Sequence, residues 1–236
     1  MVCMKDMKNK NISNTELNSI VHDLKTPITS IMGFMELLKQ GNHDEETRTE
    51  FYDIILSESH KLLKLVNDIL YLNKNQASQF DSSCNLSIEI NKYVKELSPL
   101  AGKRNIEISI NGLSSDIYVS IPEDKISRIL TNIIENAIKY NKEYGKIFID
   151  VDEDEKQVFV KIRDTGIGIP QNEIDKIFNK YYRTTITKDM SVEGAGLGLA
   201  IANDIVNEYH GQIKVDSKIG EYTEFIVSFP KSRIEE

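Results

Sequence analysis

The sequence predicts an α+β chain in two parts: a helical hairpin that pairs with a second copy into a four-helix bundle, and then an α/β sandwich of about 150 residues. Three observations carry that reading. Apolar residues recur with heptad spacing over 17–38 and again over 51–72. A polar break follows at 74–83. Beyond it, helical and alternating patterns are interspersed.

The first stretch runs Leu17, Val21, Leu24, Ile28, Ile31, Met35 and Leu38, and Ile20 and Met32 widen it. A stripe that broad packs in a bundle rather than in a two-stranded coil. Ser13 or Asn14 caps its start, and Gly41 stops it. Pro27 lies inside this helix. It has no N–H for the carbonyl of residue 23, and its ring crowds that carbonyl, so a kink is expected at a cost of about 3 kcal/mol. The kink falls within a turn of His22, which has Asp23 beside it and Thr26 one turn on. A polar link at 41–47 leads to the second seam: Phe51, Ile55, Glu58, Leu62, Leu65, Ile69 and Leu72, with Ile54, Val66 and Leu70 beside it. Glu58, its polar member, weakens packing and helps to fix register. Two helices cannot cover stripes this wide on both sides, so a homodimer is expected.

The domain boundaries read as 1–76 for the hairpin, 77–84 for a linker and 85–236 for the second part. In that part 86–100 is a helix with Ile90, Tyr93, Val94 and Leu97 on one side. Residues 106–110 alternate as a strand, and 117–121 form a short one. Pro122 opens a helix at its first position, with acids in the first turn, running to about residue 141. It buries Ile126, Ile129, Leu130, Ile133, Ile134, Ala137 and Ile138. Strands at 146–151 and 157–163 flank an acidic turn. A helix at 197–209 and strands at 212–216 and 224–229 close the chain.

Composition bounds the function. A net charge of −8 argues against nucleic-acid binding, which needs a basic face. Two cysteines, Cys3 and Cys84, are no disulfide framework, which points to a reducing compartment. No apolar run approaches the ~18–20 residues of a membrane span, and the polar start has no signal-peptide core. The sequence reads as soluble and cytoplasmic, and is compatible with being the cytoplasmic part of a membrane-anchored sensor with segments upstream.

Several residues have the chemistry of a nucleotide site. Asn132 and Asn136, four apart, project from one helix face, with Lys139 and Tyr140 extending it. A carboxamide oxygen is a hard ligand suited to Mg²⁺, and a neighbouring lysine suits phosphate. At a strand end stands Asp164-Thr165-Gly166-Ile167-Gly168-Ile169. Its glycines let backbone approach a ligand, and its aspartate can accept from an exocyclic amine. Gly194-Ala195-Gly196-Leu197-Gly198-Leu199 opens a helix whose bare amides can bind phosphate. It is neither a Walker loop nor a dinucleotide fingerprint. Taken singly, each pattern is as readily structural: paired helix amides, a tight surface turn, a helix start. His43, His60 and His210 read as ordinary surface residues.

In this order and spacing the motifs resemble those of bacterial two-component sensor histidine kinases, over nearly the whole chain. His22-Asp23-Leu24-Lys25-Thr26-Pro27 is similar to the family's H box, in a form closest to vancomycin-type sensors. Residues 132–140 resemble the N box, 164–168 the first glycine box, 177–183 the F box, and 194–199 the second glycine box. Residues 210–225 resemble the last strand pair, with Glu221-Tyr222 where a glycine commonly precedes the threonine, here Thr223.

The resemblance implies a dimerisation and histidine-phosphotransfer hairpin followed by a Bergerat-type ATP-binding domain. It implies His22 as the phosphorylated nucleophile, Asp23 as its proton acceptor, Thr26 as the residue positioning water for regulator dephosphorylation, and Lys25 steadying phosphate. Asn136, supported by Asn132, is implied to hold Mg²⁺; Lys139 and Tyr140 to meet phosphate or ribose; and Asp164, with Gly166, Gly168 and Ile169, to line the adenine side. Gly194, Gly196 and Gly198, with Leu197 and Leu199, are implied to face phosphates. Residues 165–193 are the implied ATP lid, anchored by Phe178, Tyr181 and Tyr182. Arg183 is assigned equally to a phosphate and to a lid salt bridge, and Thr223 to the base of the nucleotide site. The implied partner is a response-regulator receiver domain. The rival readings are an ATP-switched clamp or ATPase of the gyrase and chaperone fold, which gives His22 and Pro27 no task, and a catalytically idle dimeric scaffold.

Overall fold

Heptad spacing, a left-handed glycine and an acidic cap build the first helical pair. The computed structural model describes residues 14–73, 83–113, 117–188, 190 and 194–231. It separates into two units that divide between Leu70 and Tyr71. The 77–84 linker lies mostly outside the described residues, as do Ser13 and the side chain of Asn14.

In the first unit α1 (Asn14–Gln40) and α2 (Glu45–Asn73) are joined by a turn in which Gly41 has φ 71°, a conformation glycine adopts without strain. Asp44 accepts the Thr47 amide at 2.8 Å and so caps α2. The His43 ring bonds the Leu37 carbonyl at 3.0 Å and meets Phe51 edge-on, and Phe51 in turn packs on Phe34. His43 is thus a structural part of the turn. The helix continues unbroken through Pro27, which is buried.

The face of α1 turned inward differs from the seam read in the sequence. Ile20, Leu24, Pro27, Ile31, Phe34 and Leu38 are buried or half-buried, whereas Leu17, Val21, Ile28, Met32 and Met35 are exposed. Two seams therefore run side by side, and only one is covered within a single hairpin. On α2 the expected positions do turn inward, and Glu58 is buried with Lys61 Nζ 2.6 Å from its carboxylate.

The second unit starts with β1 (Cys84–Asn85), which pairs antiparallel with β3 (Tyr118–Val119). Asn85 caps α3 (Leu86–Gly102) by accepting from the Ser87 and Ile88 amides. The main sheet has five strands in the order β2 (Glu107–Asn111), β4 (Lys146–Glu153), β5 (Gln157–Asp164), β7 (Tyr222–Pro230), β6 (Gln212–Lys218). The β2–β4 pair is parallel and the others antiparallel. Alternation puts Ile147, Ile149, Val158, Val160, Ile162, Phe225 and Val227 in the core. Phe148, Asp150, Lys161 and Arg163 take the opposite, partly exposed face.

Helix α4 (Glu123–Lys139) packs against α3 on one side and α6 (Gly198–Glu208) on the other. Its seven expected core residues are all buried, the isoleucines and the leucine worth about 1.5–3 kcal/mol each. Pro122 stands just outside the helix with ψ 146°, not at its first position. The long segment after β5 contains a 3-10 turn at Gln171–Lys176 and a single turn α5 (Thr185–Lys188), neither visible as a periodic pattern.

Candidate active site

The first unit contributes one chemically distinctive group. The His22 side chain is 80% exposed, and its Nδ1 lies 3.4 Å from Asp23 Oδ1. A carboxylate oxygen only accepts, so in the neutral ring this contact favours the tautomer with its proton on Nδ1 and its lone pair on Nε2. Thr26 Oγ1 donates to the His22 carbonyl at 3.2 Å, and Lys25 is exposed beside it.

In the second unit the site forms where the ends of β5, α4 and the β6–β7 turn meet the start of α6. Asp164 is buried at the end of β5, paired with Ile147 and Thr223. Its Oδ1 accepts the Gly166 amide at 2.8 Å. Burial pushes the Asp164 carboxyl up to about 7 against the opposing pull of the Gly166 and Thr223 amides. Gly166 is required here, since a Cβ would meet Tyr140 O and stand 2.6 Å from Asp164 Oδ1. The Ile167 amide bonds Tyr140 O at 3.0 Å, the Ile169 amide bonds Ser217 Oγ at 2.8 Å, and the Gly220 amide bonds Ile167 O at 2.7 Å. Gly168 turns this loop with φ 72°.

On α4, Asn132 is buried, with Oδ1 2.9 Å from where Gly198 would carry a Cβ; its Nδ2 has no hydrogen-bond partner. Asn136 is half-buried one turn on. Lys139 Nζ stands 2.6 Å from the Cβ position of Gly194 and 5.1 Å from the Tyr140 ring centre. Tyr140 is raised above the ordinary phenol range by burial, opposed by the Arg183 charge. Arg183 donates to Thr187 O at 2.6 Å, a bond within its own segment. The Tyr181 amide bonds Gly196 O at 2.9 Å, bringing the aromatic segment onto the second glycine run. Phe178 and Leu199 are half-buried, and Leu197 and Thr223 are buried.

The structure thus gathers Asn132, Lys139, Tyr140, Asp164, Gly166, Ile169, Tyr182, Arg183, Gly194, Gly196, Gly198 and Thr223 into a connected set of contacts, while His22, Asp23, Lys25 and Thr26 lie in the first unit. Four residues that shape the site have no signal in the sequence. Ser217 bridges the Ile169 amide to Tyr222 O. Asn141 accepts from Thr165 Oγ1 at 3.2 Å. Glu173, buried, accepts from Tyr182 Oη and from Thr185. Arg104 holds carbonyls at the end of α4.

An exposed imidazole on a helical hairpin is followed along the chain by a sandwich whose glycine loops meet a buried carboxylate and a helix-borne amide, a chain of two modules. Residues 13–78 match the His Kinase A (phospho-acceptor) domain, and residues 121–233 match the histidine kinase-, DNA gyrase B- and HSP90-like ATPase family. The chain belongs to the bacterial two-component sensor histidine kinases. It is 32% identical over 217 residues to the sensor histidine kinase WalK of Bacillus subtilis, covering 90% of this chain and 36% of that protein. A Staphylococcus aureus sensor protein kinase WalK is 31% identical over 92% of this chain and 54% of its own length. The chain therefore spans a third to about half the length of these relatives. Among solved structures, histidine kinase ThkA in complex with the response regulator TrrA superposes with a TM-score of 0.69 at 26% identity, over 94% of this chain and 63% of that one. The Acinetobacter baumannii histidine kinase AdeS shares the fold, with a TM-score of 0.66 at 21% identity over 90% of this chain and 98% of that one.

Proposed function

We propose that the chain is the catalytic core of a sensor kinase that transfers the γ-phosphoryl group of ATP to His22 and then to an aspartate of a response regulator. The observation that carries this is His22 itself: solvent-exposed, with Asp23 on Nδ1 and its other ring nitrogen free to attack. As Nε2 bonds to phosphorus, the bond from phosphorus to the β–γ bridging oxygen breaks and ADP leaves. The charge that develops on the ring is met by Asp23, which accepts the Nδ1 proton. Asp164 accepts from the adenine amino group, Lys139 and Tyr140 meet phosphate and ribose, and the 194–198 backbone approaches the phosphates.

The donor set fits Mg²⁺. Among the described residues no group of three or more His, Cys, Asp or Glu side chains is placed to hold a metal. The Asn136 and Asn132 carboxamide oxygens, with the substrate's own phosphates, are the hard ligands a magnesium site of this kind uses, and the unpartnered Asn132 Nδ2 is a donor suited to an acceptor such as a phosphate oxygen. When bound, Mg²⁺ neutralises charge on the β- and γ-phosphates.

The uncovered seam of Val21, Ile28, Met32 and Met35 supports a homodimer in which two hairpins form the bundle. The response regulator in the ThkA complex supports a receiver domain as partner, and Thr26, one turn from His22, supports a regulator phosphatase activity. Among the described residues no helix is long and apolar enough to cross a membrane; the much longer relatives support sensor or anchor segments outside this chain.

The test is incubation with γ-labelled ATP and Mg²⁺. Acid-labile, alkali-stable label is expected on the wild type and absent from His22→Ala. Label that survives in that variant overturns the assignment.

A further inference from the structure

The last carbonyls of a helix have no intrahelical donors, and their alignment depends on what satisfies them. At the end of α4, three are held by a single side chain from another element. Arg104 Nη1 lies 2.5 Å from Ile138 O and 2.7 Å from Lys139 O, and Nη2 lies 2.8 Å from Asn141 O. The remaining carbonyl in that run, Tyr140 O, accepts the Ile167 amide of the first glycine loop at 3.0 Å. Between them, the guanidinium and the loop hold the carbonyls of 138–141.

Arg104 is itself fixed. It follows α3 in a turn where its amide donates to Ala101 O at 3.0 Å and its carbonyl accepts the Tyr144 amide at 3.3 Å. The next residue, Asn105, takes the left-handed region with φ 55°, which aims the turn. Side chain and backbone of residue 104 therefore bracket 138–144 from both ends. A planar guanidinium presents several N–H groups in a fixed fork and complements the negative end of a helix dipole; a lysine ammonium matches the charge but not the fork.

We propose that Arg104 is a positioning residue for nucleotide binding. It fixes the end of α4 so that Lys139 and Tyr140 are presented to the nucleotide while Tyr140 O stays aligned to hold the 166–168 loop. This rests on the reading of 132–140 and 164–168 as the ATP site. Arg104 itself meets no nucleotide atom; it acts through its neighbours.

The experiment uses the full chain and measures the ATP dissociation constant by calorimetry, at a temperature well below each variant's unfolding midpoint, for wild type, Arg104→Met, Arg104→Lys and Lys139→Met. The dissociation constant should rise about tenfold in Arg104→Met and about threefold in Arg104→Lys, the charge alone restoring part of the alignment. In the labelling reaction, KM for ATP should rise while kcat changes much less. A lowered midpoint with a wild-type dissociation constant in the Arg104 variants, while Lys139→Met is weakened, identifies a plain helix cap and overturns the inference alone. Wild-type affinity in Lys139→Met as well overturns the reading of the site, and the inference with it. Should Arg104→Met not fold, Arg104→Lys decides on the same two readouts.

Discussion

Gly198 and Asn132 occupy one space: a Cβ on residue 198 would stand 2.9 Å from the Asn132 Oδ1 and 3.2 Å from its Cγ. Asn132 is buried, so its amide can yield only by rotating away from the start of α6. Alanine at 198 gains about 1 kcal/mol of helix propensity and loses part of that to crowding. The unfolding free energy of Gly198→Ala should therefore stay within about 1 kcal/mol of wild type, while ATP affinity falls about tenfold through the displaced amide. Denaturant unfolding and calorimetry on the same sample separate the two effects. Wild-type affinity would show that the orientation of Asn132 is immaterial to binding.

What the sequence reveals of this arrangement is what short spacing can encode. Asn132 and Asn136 lie one helical turn apart, Asp164 is two residues from Gly166, and the strands of the sheet alternate visibly. Arg104 and Ser217 escape such reading because the α4 carbonyls that Arg104 holds lie 34–37 residues away and the loop residues that bond Ser217, Ile169 and Gln171, lie 46–48 away, with no periodicity linking them. The seam of α1 misleads for another reason. Residues 20, 24, 27, 31, 34 and 38 and residues 17, 21, 24, 28, 31, 35 and 38 both step by four and three, share Leu24, Ile31 and Leu38, and form adjoining strips of the helix, so apolar spacing alone does not say which faces the partner helix. Strand β1, two residues long, is too short to alternate, and the strand expected at 117–121 is cut to the two residues of β3.

With Asp164 as the proposed acceptor of the adenine amine, nucleotide binding should depend on pH. Its carboxyl, pushed up to about 7 by burial, holds a proton in the folded domain over a range where the unfolded chain has lost it. The native state binds more protons between about pH 4 and 7, so the stability of the nucleotide-free domain should fall as pH rises through that window. Binding runs the other way, because the ionised carboxylate is the stronger acceptor for the adenine amine. ATP affinity should rise about tenfold from pH 6 to pH 8. Asp164→Asn should flatten the stability profile and lose the pH-dependent affinity. Thermal unfolding and calorimetry at both pH values check each arm.

Glu173 locks the start of the segment between the two glycine loops. Its carboxylate accepts from Thr185 Oγ1 at 2.6 Å, the Thr185 amide at 3.0 Å and Tyr182 Oη at 3.0 Å. The Thr185 hydroxyl above all, with these other donors, holds it below the usual glutamate range. Its contribution is therefore present at neutral pH and lost as pH falls through its depressed value. Glu173→Ala leaves three donors without their acceptor, and amide hydrogen exchange at 182–187 should accelerate while that of β4 and β5 is unchanged. Acceleration spread evenly over the sheet would mean that Glu173 supports the whole domain rather than this segment.

Pro27 is buried inside an unbroken helix one turn past His22, and the Asp23 carbonyl there meets a residue with no N–H to give. Thr26 spends its hydroxyl on the neighbouring His22 carbonyl, so it does not replace the missing donor. Pro27→Ala restores that bond and relieves the crowding of its ring, but gives up apolar contacts of the buried ring. The net gain should be about 1–2 kcal/mol, less than the ~3 kcal/mol of an exposed helix interior. If the proline loosens α1 so that His22 is reached in turn by the ATP-binding unit and by the regulator, the stabilised variant should label more slowly, and its initial rate of His22 phosphorylation should fall at saturating ATP while ATP affinity holds. A raised unfolding midpoint with an unchanged labelling rate would make Pro27 a packing residue and leave the helix near His22 without a hinge.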